Sequence, residues 1–157
     1  MSEVPVTTGV RFLRSHKVPF IPHLYEWEEH GGTKHSAQSL SVDEHQVIKT
    51  LVFENDQKKP LLVLMHGDRE VSTKNLARFL GCKAVQPCTP QNVTRYTGYQ
   101  VGGCSPFGTK QTLPVYVEST IWTLPRIFIN GGKRGFLVEL APDVLRILSP
   151  EEISVAI

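Results

Sequence analysis

A glycine-rich stretch, GYQVGGCSPFG at residues 98–108, sets a cysteine and a serine among four glycines. Glycine allows positive φ and close approach of the backbone, so a loop of this kind can aim amide groups at an anion or a developing oxyanion. A second cluster, NGGKRG at residues 130–135, has the same property. Tight hairpin turns also explain both clusters, and residues 130–135 taken alone favour that interpretation.

A lysine in an apolar segment is the second chemically notable feature. Lys49 lies within VIKTLVF at residues 47–53. Such a lysine must extend outward to water, find a partner or accept a lowered pKa. Because side chains alternate along a strand, one solvated face explains Lys49 equally well, and Thr50 would point to the opposite face.

The cysteines and histidines do not form a recognisable metal motif. Cys82, Cys88 and Cys104 include no CxxC pair, and their odd number in a reducing compartment predicts free thiols. His30 and His35 are five residues apart, and no HxxxH is present. We therefore expect no metal site. Cys104 lacks an identifiable base to activate it, which favours a small packed side chain over a nucleophile.

Composition limits the classes of function. A chain of 157 residues fits a single domain, and 17 Lys and Arg against 15 Asp and Glu give a net charge of only +2. Any RNA binding must therefore be local, and DNA is not an expected partner. The sequence has neither an apolar run of membrane-spanning length nor a secretory signal, which predicts a cytoplasmic protein with no membrane partner. GxGxxG and GxxxxGK[ST] are absent, which argues against a nucleotide-binding domain, and we expect no cofactor.

Local signals place these residues in a mixture of short helices and strands. Pro22 predicts an edge strand, and a polar DQKKP connection between two apolar runs predicts an antiparallel hairpin. Helices are expected at residues 7–17, 36–41, 72–81, 89–98 and 141–148, and strands at residues 20–26, 45–55, 60–68, 113–119, 126–130 and 136–140. The elements do not alternate regularly, so the predicted fold class is α+β with a largely buried mixed sheet.

Three segments together carry a resemblance to a known family. VIKTLVF, RYTGYQVGGCSPFG and INGGKRGFLVEL resemble, in order and separation, the motifs of the YbaK/EbsC family of aminoacyl-tRNA deacylases. The resemblance runs from about Phe20 to Leu148. It implies one free-standing domain over residues 1–157, similar to the insertion domain of bacterial prolyl-tRNA synthetases. The implied fold is a barrel-like mixed sheet surrounded by short helices, and the implied reaction is trans-editing hydrolysis of a mischarged aminoacyl-tRNA ester.

The resemblance also assigns roles to residues. The strand lysine that such proteins require corresponds to Lys49, whose charge would reach the 3′-terminal phosphate or the carbonyl. The loop beside the scissile ester corresponds to residues 102–106, where amides around Gly102 and Gly103 would stabilise the oxyanion or orient water. Lys133 and Arg134 would either contact the tRNA backbone or form a solvated hairpin tip. The expected substrate-binding residues are Tyr25, Thr50, Ser105, Pro106, Asn130, Gly131 and Leu137.

The expected substrate is an aminoacyl-tRNA that carries a small amino acid. Tyr25 is shared with the cysteine-specific branch, but Asn130 and Leu137 stand where that branch has a small hydroxyl residue and an acid. Cys-tRNA(Pro) is therefore one candidate beside alanine, serine and threonine esters. Prolyl-tRNA synthetase is an expected partner. The alternative is a non-catalytic module that binds tRNA ends or a synthetase, although binding alone would not require both Lys49 and the glycine loop.

Overall fold

An eight-stranded mixed sheet organises the chain in a computed structural model, which describes residues 4–157. The strands are β1 Ile21–Leu24, β2 Val47–Asn55, β3 Pro60–His66, β4 Val85–Pro87, β5 Val115–Glu118, β6 Ile127–Lys133, β7 Phe136–Leu140 and β8 Glu151–Ile153. Their order in the sheet is β1-β7-β6-β2-β3-β5-β8, and β4 pairs with β2. The predicted α+β class and mixed sheet are thereby confirmed.

Strand β2 is the centre of the sheet. One edge forms the predicted antiparallel hairpin with β3, from Ile48 opposite His66 to Glu54 opposite Pro60. The other edge is shared: β6 pairs in parallel with Val47 and Ile48 at its start, and β4 pairs with residues 53–55 at its end. Between these two ladders, residues 49–51 have no strand neighbour on that edge within the described chain. The sheet therefore splits open beside Lys49.

Four α-helices cover the two faces of the sheet: α1 Thr8–Ser15, α2 Gly32–Leu40, α3 Thr73–Leu80 and α4 Pro90–Thr97. Short 3₁₀ helices occupy residues 44–46, 119–123 and 142–148. The predicted caps of α3 are present, because the Ser72 hydroxyl accepts a hydrogen bond from the Asn75 amide and Gly81 is left-handed. Thr89 and Gly98 cap α4 in the same way.

The alternation of β2 divides the core into two sides. Ile48 and Val52 pack with α1 and α4, whereas Phe53 packs with α3 and Val47 with α2. Each face of the sheet is therefore covered by two helices, and consecutive residues of β2 serve different cores.

The structure differs from the sequence-based expectations at several elements. Helix α2 begins at Gly32 and not near Ser36. Residues 142–148 form a 3₁₀ helix and not an α-helix, with the Ser149 amide bonded to the Arg146 carbonyl. The short strands β4 and β8 were not predicted. The predicted edge strand at Pro22 is confirmed, because β1 ends the sheet and pairs with β7 alone. Within residues 4–157, no helix is both long and apolar enough to cross a membrane.

Candidate functional site

Lys49 lies at the split in the sheet, on the face of β2 that α3 covers. Its side chain is 16 % exposed, and Nζ donates a hydrogen bond to the Arg69 carbonyl. The Glu70 carboxylate lies 3.5 Å from Nζ and is itself 80 % exposed. The ammonium is thus anchored by the backbone, while its single carboxylate partner in the described chain stands in water and can be displaced by another anion.

Asn130 is the neighbour of Lys49 across the split. The last parallel pair joins Ile48 to Ile129, so Lys49 and Asn130 are the next residue on each strand. Side chains two residues apart on a strand point to the same face, so Lys49 lies on the face of Val47 and Asn130 on the face of Phe128. Val47 and Phe128 pack together in one apolar cluster. The register therefore puts the lysine and the asparagine on the same face, at the point where β2 and β6 separate.

The Asn130 side chain fastens the glycine loop to the β6–β7 hairpin. Its Nδ2 donates to the carbonyls of Gly102 and Lys133, both at 3.2 Å. Its Oδ1 accepts from the amides of Gly132 at 2.6 Å and Lys133 at 3.1 Å. These bonds span the irregular register between residues 130 and 133. Asn130 thus acts as the connection between the two glycine clusters that the sequence singles out.

The two adjacent loop glycines differ in their backbone roles. Gly102 has φ +88°, a conformation that favours glycine, and its amide has no hydrogen-bond partner among residues 4–157. The Gly103 amide, in contrast, donates to the Gln100 carbonyl at 2.9 Å. A Cβ on Gly103 would lie 2.7 Å from the Arg134 backbone nitrogen. Gly103 therefore closes the turn, and Gly102 is the glycine whose amide is free to bind a ligand.

A cation and an aromatic ring flank Gly102. The Arg134 guanidinium lies 4.3 Å from the centre of the Trp27 ring, and its Nε donates to the Val101 carbonyl at 3.0 Å. A Cβ on Gly102 would be 3.1 Å from the Trp27 indole nitrogen. Beside them is a cleft of about 260 Å³, whose lining includes Gln100, Lys133 and Arg134. Nothing in the local sequence pattern marks Trp27, so its place beside Gly102 is visible only in the structure.

The second half of the loop is interior. Ser105 is fully buried and Pro106 is buried, and the Ser105 hydroxyl accepts from the Phe107 amide at 3.0 Å. Tyr99, which sequence reasoning missed, donates its hydroxyl to the Phe107 carbonyl at 2.5 Å and accepts from Thr8 at 2.8 Å. Burial raises the pKa of Tyr99, which keeps this hydroxyl protonated. The loop is therefore held from inside by two hydroxyl groups.

We expect Tyr99→Phe to destabilise the protein by about 1–3 kcal/mol, because the change leaves a buried carbonyl and the Thr8 hydroxyl without a partner. The matched control is Tyr96→Phe, which removes a hydroxyl that accepts from the Arg95 guanidinium at a partly buried position. That variant should lose less than about 1 kcal/mol. Urea unfolding of both variants makes the comparison, and equal losses would show that Tyr99 does not specifically hold the loop.

Thr50 and Gly131 lie on the side of the sheet opposite to Lys49. Thr50 points to the same face of β2 as Ile48 and Val52. Its buried Oγ1 makes no hydrogen bond within residues 4–157. The Gly131 carbonyl accepts from the Thr7 hydroxyl at 2.5 Å, which ties the start of α1 to β6. These two predicted site residues are therefore separated from Lys49 by the plane of the sheet.

Tyr25 and Leu137 lie on the same face as Asn130. Both pack in the apolar cluster that contains Val47 and Phe128, and Leu137 pairs directly with Asn130 across β6 and β7. Burial raises the pKa of Tyr25, although hydrogen bonds with Ser36 and the Gly135 backbone oppose this effect. The structure thus groups Tyr25, Leu137 and Asn130 beside the split that contains Lys49.

The thiol in the loop is not activated. Cys104 is 8 % exposed, and burial raises the pKa of its thiol to about 11. The group is therefore neutral at physiological pH and packs in the core, as the sequence predicts.

A polar cluster that the sequence spacing did not reveal lies at the end of β3. The rings of His45 and His66 stack at 3.7 Å, and one potential ligand atom from each, with one from Asp68, lies within 4.8 Å of the others. His45 bonds Asp68 at 2.8 Å, while His66 bonds the His45 carbonyl and the Thr120 hydroxyl. Burial lowers the pKa of His66, so a neutral ring is favoured. Both nitrogens of His66 are already used inside the protein.

Comparison with known proteins adds a family and several relatives. The model of the aminoacyl-tRNA editing domain matches residues 29–148. A protein of Enterococcus faecalis, provisionally named Cys-tRNA(Pro)/Cys-tRNA(Cys) deacylase EbsC, is 33% identical over 88% of this chain and 85% of its own length. The proline–tRNA ligase of Limosilactobacillus fermentum is 26% identical over 64% of this chain, but that match spans only 18% of the ligase.

One solved structure has a closely similar fold. It is provisionally described as a trans-editing enzyme for prolyl tRNA synthetase and superposes with a TM-score of 0.82 at 22% identity, covering 96% of this chain and 98% of that one. At this level of identity the likeness concerns the arrangement of helices and strands, which is shared over almost the whole chain.

Proposed function

This chain belongs to the family of aminoacyl-tRNA editing domains, and from that premise we propose that it hydrolyses the ester of a small, wrong amino acid on tRNA, acting in trans. We treat residues 1–157 as a single domain that is sufficient for the reaction. One observation above all supports the proposal: Asn130 stands beside Lys49 and holds the carbonyl of Gly102, whose amide is unpaired within the described residues.

The reaction requires few groups from the protein. The oxygen of a water molecule bonds to the ester carbonyl carbon, the bond from that carbon to the ribose oxygen of the terminal adenosine breaks, and the ribose oxygen leaves with one proton from the water. Negative charge develops on the carbonyl oxygen in the transition state. The Gly102 amide is the donor that we assign to this oxyanion, while Gly103 keeps the turn in shape through its bond to Gln100.

Lys49 supplies the positive charge of the site. Its Glu70 partner is exposed, so a terminal phosphate or the ester carbonyl can replace that carboxylate without leaving it buried and unpaired. Binding to a phosphate would fix the 3′ end of the tRNA relative to the Gly102 amide, which is how positioning lowers the barrier for attack by water.

The amino acid itself would lie against Tyr25, Asn130 and Leu137. These residues offer a half-buried ring, an amide that is already bonded to the backbone and a buried apolar side chain. A wall of this kind suits a small side chain without charge. The name of the E. faecalis relative supports Cys-tRNA(Pro) as the first substrate to test.

The remaining predicted residues hold the loop and the strands of the site in place and do not contact the amino acid. We assign Ser105 and Pro106 to the interior of the loop, and Gly131 to the attachment of α1. The Thr50 hydroxyl, buried without a hydrogen bond in the described chain, can hold a water on the other side of the split. Prolyl-tRNA synthetase remains the partner that we propose for capture of the mischarged tRNA, because the editing-domain match lies within proline–tRNA ligases.

A deacylation panel tests the proposal. The protein is incubated with tRNA(Pro) charged with cysteine, alanine, serine or proline, and with tRNA(Cys) charged with cysteine, and hydrolysis is followed at fixed salt. At least one mischarged ester should be cleaved faster than Pro-tRNA(Pro). Binding of these tRNAs without any hydrolysis, with or without prolyl-tRNA synthetase, would instead establish a non-catalytic module.

Cys104→Ala should leave the deacylation rate within about threefold of the wild-type rate, because a thiol with a pKa of about 11 is neutral and takes no part in the chemistry. Single-turnover deacylation measures this, with thermal unfolding as the control for packing. A loss of several orders of magnitude in a folded variant would identify Cys104 as a nucleophile and move the attack by water to a second step, the hydrolysis of an aminoacyl thioester on Cys104.

A further inference from the structure

A basic cleft of about 380 Å³ runs between α3 and β4, away from the residues assigned to hydrolysis. Its lining contains three cations, Lys74, Arg78 and Lys83, and no carboxylate. All three residues are exposed, and Lys74 and Arg78 are four residues apart on α3, so they project from the same side of the helix. The cleft is therefore a concentrated positive surface.

The side chains of Lys74, Arg78 and Lys83 form no salt bridge within residues 4–157. The nearby Asp56 carboxylate is bonded to the Lys83 backbone amide, at 3.2 Å, and not to its side chain. The net charge of the whole chain is only +2, so three unpaired cations in one cleft represent a strong local excess. A surface of this kind attracts an extended polyanion and not a single compact acid.

The position of the cleft relates it to Lys49. Helix α3 packs against Phe53, and the side chains of Phe53 and Lys49 point to the same face of β2. The helix and Lys49 are therefore on one face of the sheet. Strand β4 pairs with residues 53–55, and Lys49 lies four residues before Phe53, roughly 13 Å along the strand. The chain that leads into α3 begins at Arg69, whose carbonyl binds Lys49. The cleft and Lys49 therefore lie on one face of the sheet, and the segment that leads into α3 connects them.

We propose that the α3–β4 cleft binds the sugar–phosphate backbone of the tRNA acceptor arm whose aminoacyl end lies at Lys49. This inference rests on the proposed function and identifies the surface that holds the body of the substrate. Flexible cations suit phosphates, which present point charges at regular intervals along the strand. An acidic protein surface is the less favoured occupant, because the lining has no exposed aromatic side chain to act as an anchor.

The test compares two triple variants with the same change in charge. Lys74→Gln/Arg78→Gln/Lys83→Gln removes the cations of the cleft. The control, Arg11→Gln/Arg14→Gln/Lys17→Gln, removes three exposed cations on and just after α1, which covers the opposite face of the sheet. Binding of uncharged tRNA is measured between 50 and 200 mM salt. Hydrolysis is measured on a full mischarged tRNA and on an aminoacylated CCA trinucleotide, which lacks the acceptor stem.

The cleft variant should bind tRNA at least about tenfold more weakly. The slope of the logarithm of its binding constant against the logarithm of salt concentration should become less steep by about two, since each lost phosphate contact contributes roughly 0.7–0.9 to that slope. The control variant should change far less, and both variants should cleave the trinucleotide at the wild-type rate. If the two variants lose the same affinity, the cleft is not the binding surface. If the wild type cleaves neither substrate, the proposed function is wrong, and the comparison of tRNA binding by the two variants still decides whether the cleft holds RNA.

A chemical footprint provides a second measurement. Cys82 is partly exposed and lines the cleft, whereas burial raises the pKa of Cys88 to about 11 and makes it a slow internal reference. Uncharged tRNA should slow alkylation of Cys82 severalfold and leave Cys88 unchanged, as read by peptide mass spectrometry. Unchanged labelling of Cys82 at saturating tRNA would place the RNA elsewhere and overturn the proposal.

Discussion

Lys49→Ala is expected to lower the single-turnover rate of deacylation by about 10³-fold or more while the fold remains intact. The rate falls because the variant loses the Lys49 ammonium at the split in the sheet, and lost electrostatic contacts to developing charge cost about 10²–10³ each in enzymes that depend on them. Stability should change by only about 1–2 kcal/mol, because the Glu70 carboxylate is exposed and the lost bond to the Arg69 carbonyl is a single hydrogen bond.

The control for this result is Lys59→Ala, which removes an exposed lysine from the turn between β2 and β3. Thermal unfolding and circular dichroism accompany the rates of both variants. Wild-type turnover in Lys49→Ala would show that the lysine only supports the backbone at Arg69, and the role of charge in the mechanism would have to be withdrawn.

Gly102→Ala should slow hydrolysis by about 10²-fold or more and weaken tRNA binding by much less. The backbone there has φ +88°, which strains any residue with a Cβ, and the new methyl would lie 3.1 Å from the Trp27 indole nitrogen, so we expect the loop to relax and the unpaired amide to move with it. Phosphate contacts from other cations are untouched by the change, which is why affinity should survive. Single-turnover deacylation beside filter binding at fixed salt separates the two effects.

Gly81→Ala is the matched control for Gly102→Ala. Gly81 also has positive φ, at +71°, but nothing lies within 4 Å of the position that its Cβ would take. Both variants therefore incur similar backbone strain of about 1 kcal/mol, and only one of them alters the loop. An unchanged rate in a folded Gly102→Ala protein would make this glycine a simple turn residue and leave the oxyanion without its assigned donor.

The elements that sequence patterns predicted well are those with local signals at both ends. Helix α3 has Ser72 and Gly81, and α4 has Thr89 and Gly98, so their bounds agree with the structure. Helix α2 begins earlier than predicted because its N-cap, Gly31, has no side chain to mark the start. Strands β4 and β8 have three residues each and exist through pairing with distant strands, which no local pattern reveals.

The candidate site was predictable in its components and not in their arrangement. Alternation along a strand correctly separates Lys49 from Thr50, and the absence of an identifiable base correctly predicts a packed, inactive Cys104. The bond from Asn130 to Gly102 spans 28 residues and depends on the irregular hairpin. Tyr99 is equally hidden, because its partners come from α1 and from the far end of the loop. Only the tertiary structure joins these groups.

The attachment of α1 to β6 has a consequence for the order in which the protein folds during synthesis. Thr7 bonds the carbonyl of Gly131, a residue 124 positions later, so α1 cannot complete this contact until β6 has been made. The Thr8–Tyr99 bond closes 91 positions after α1 begins. Chains that stop before β6 therefore lack this anchor for α1 and the hairpin that holds Gly102. The loop that contains Gly102 is therefore fully held only after the β6–β7 hairpin has been made.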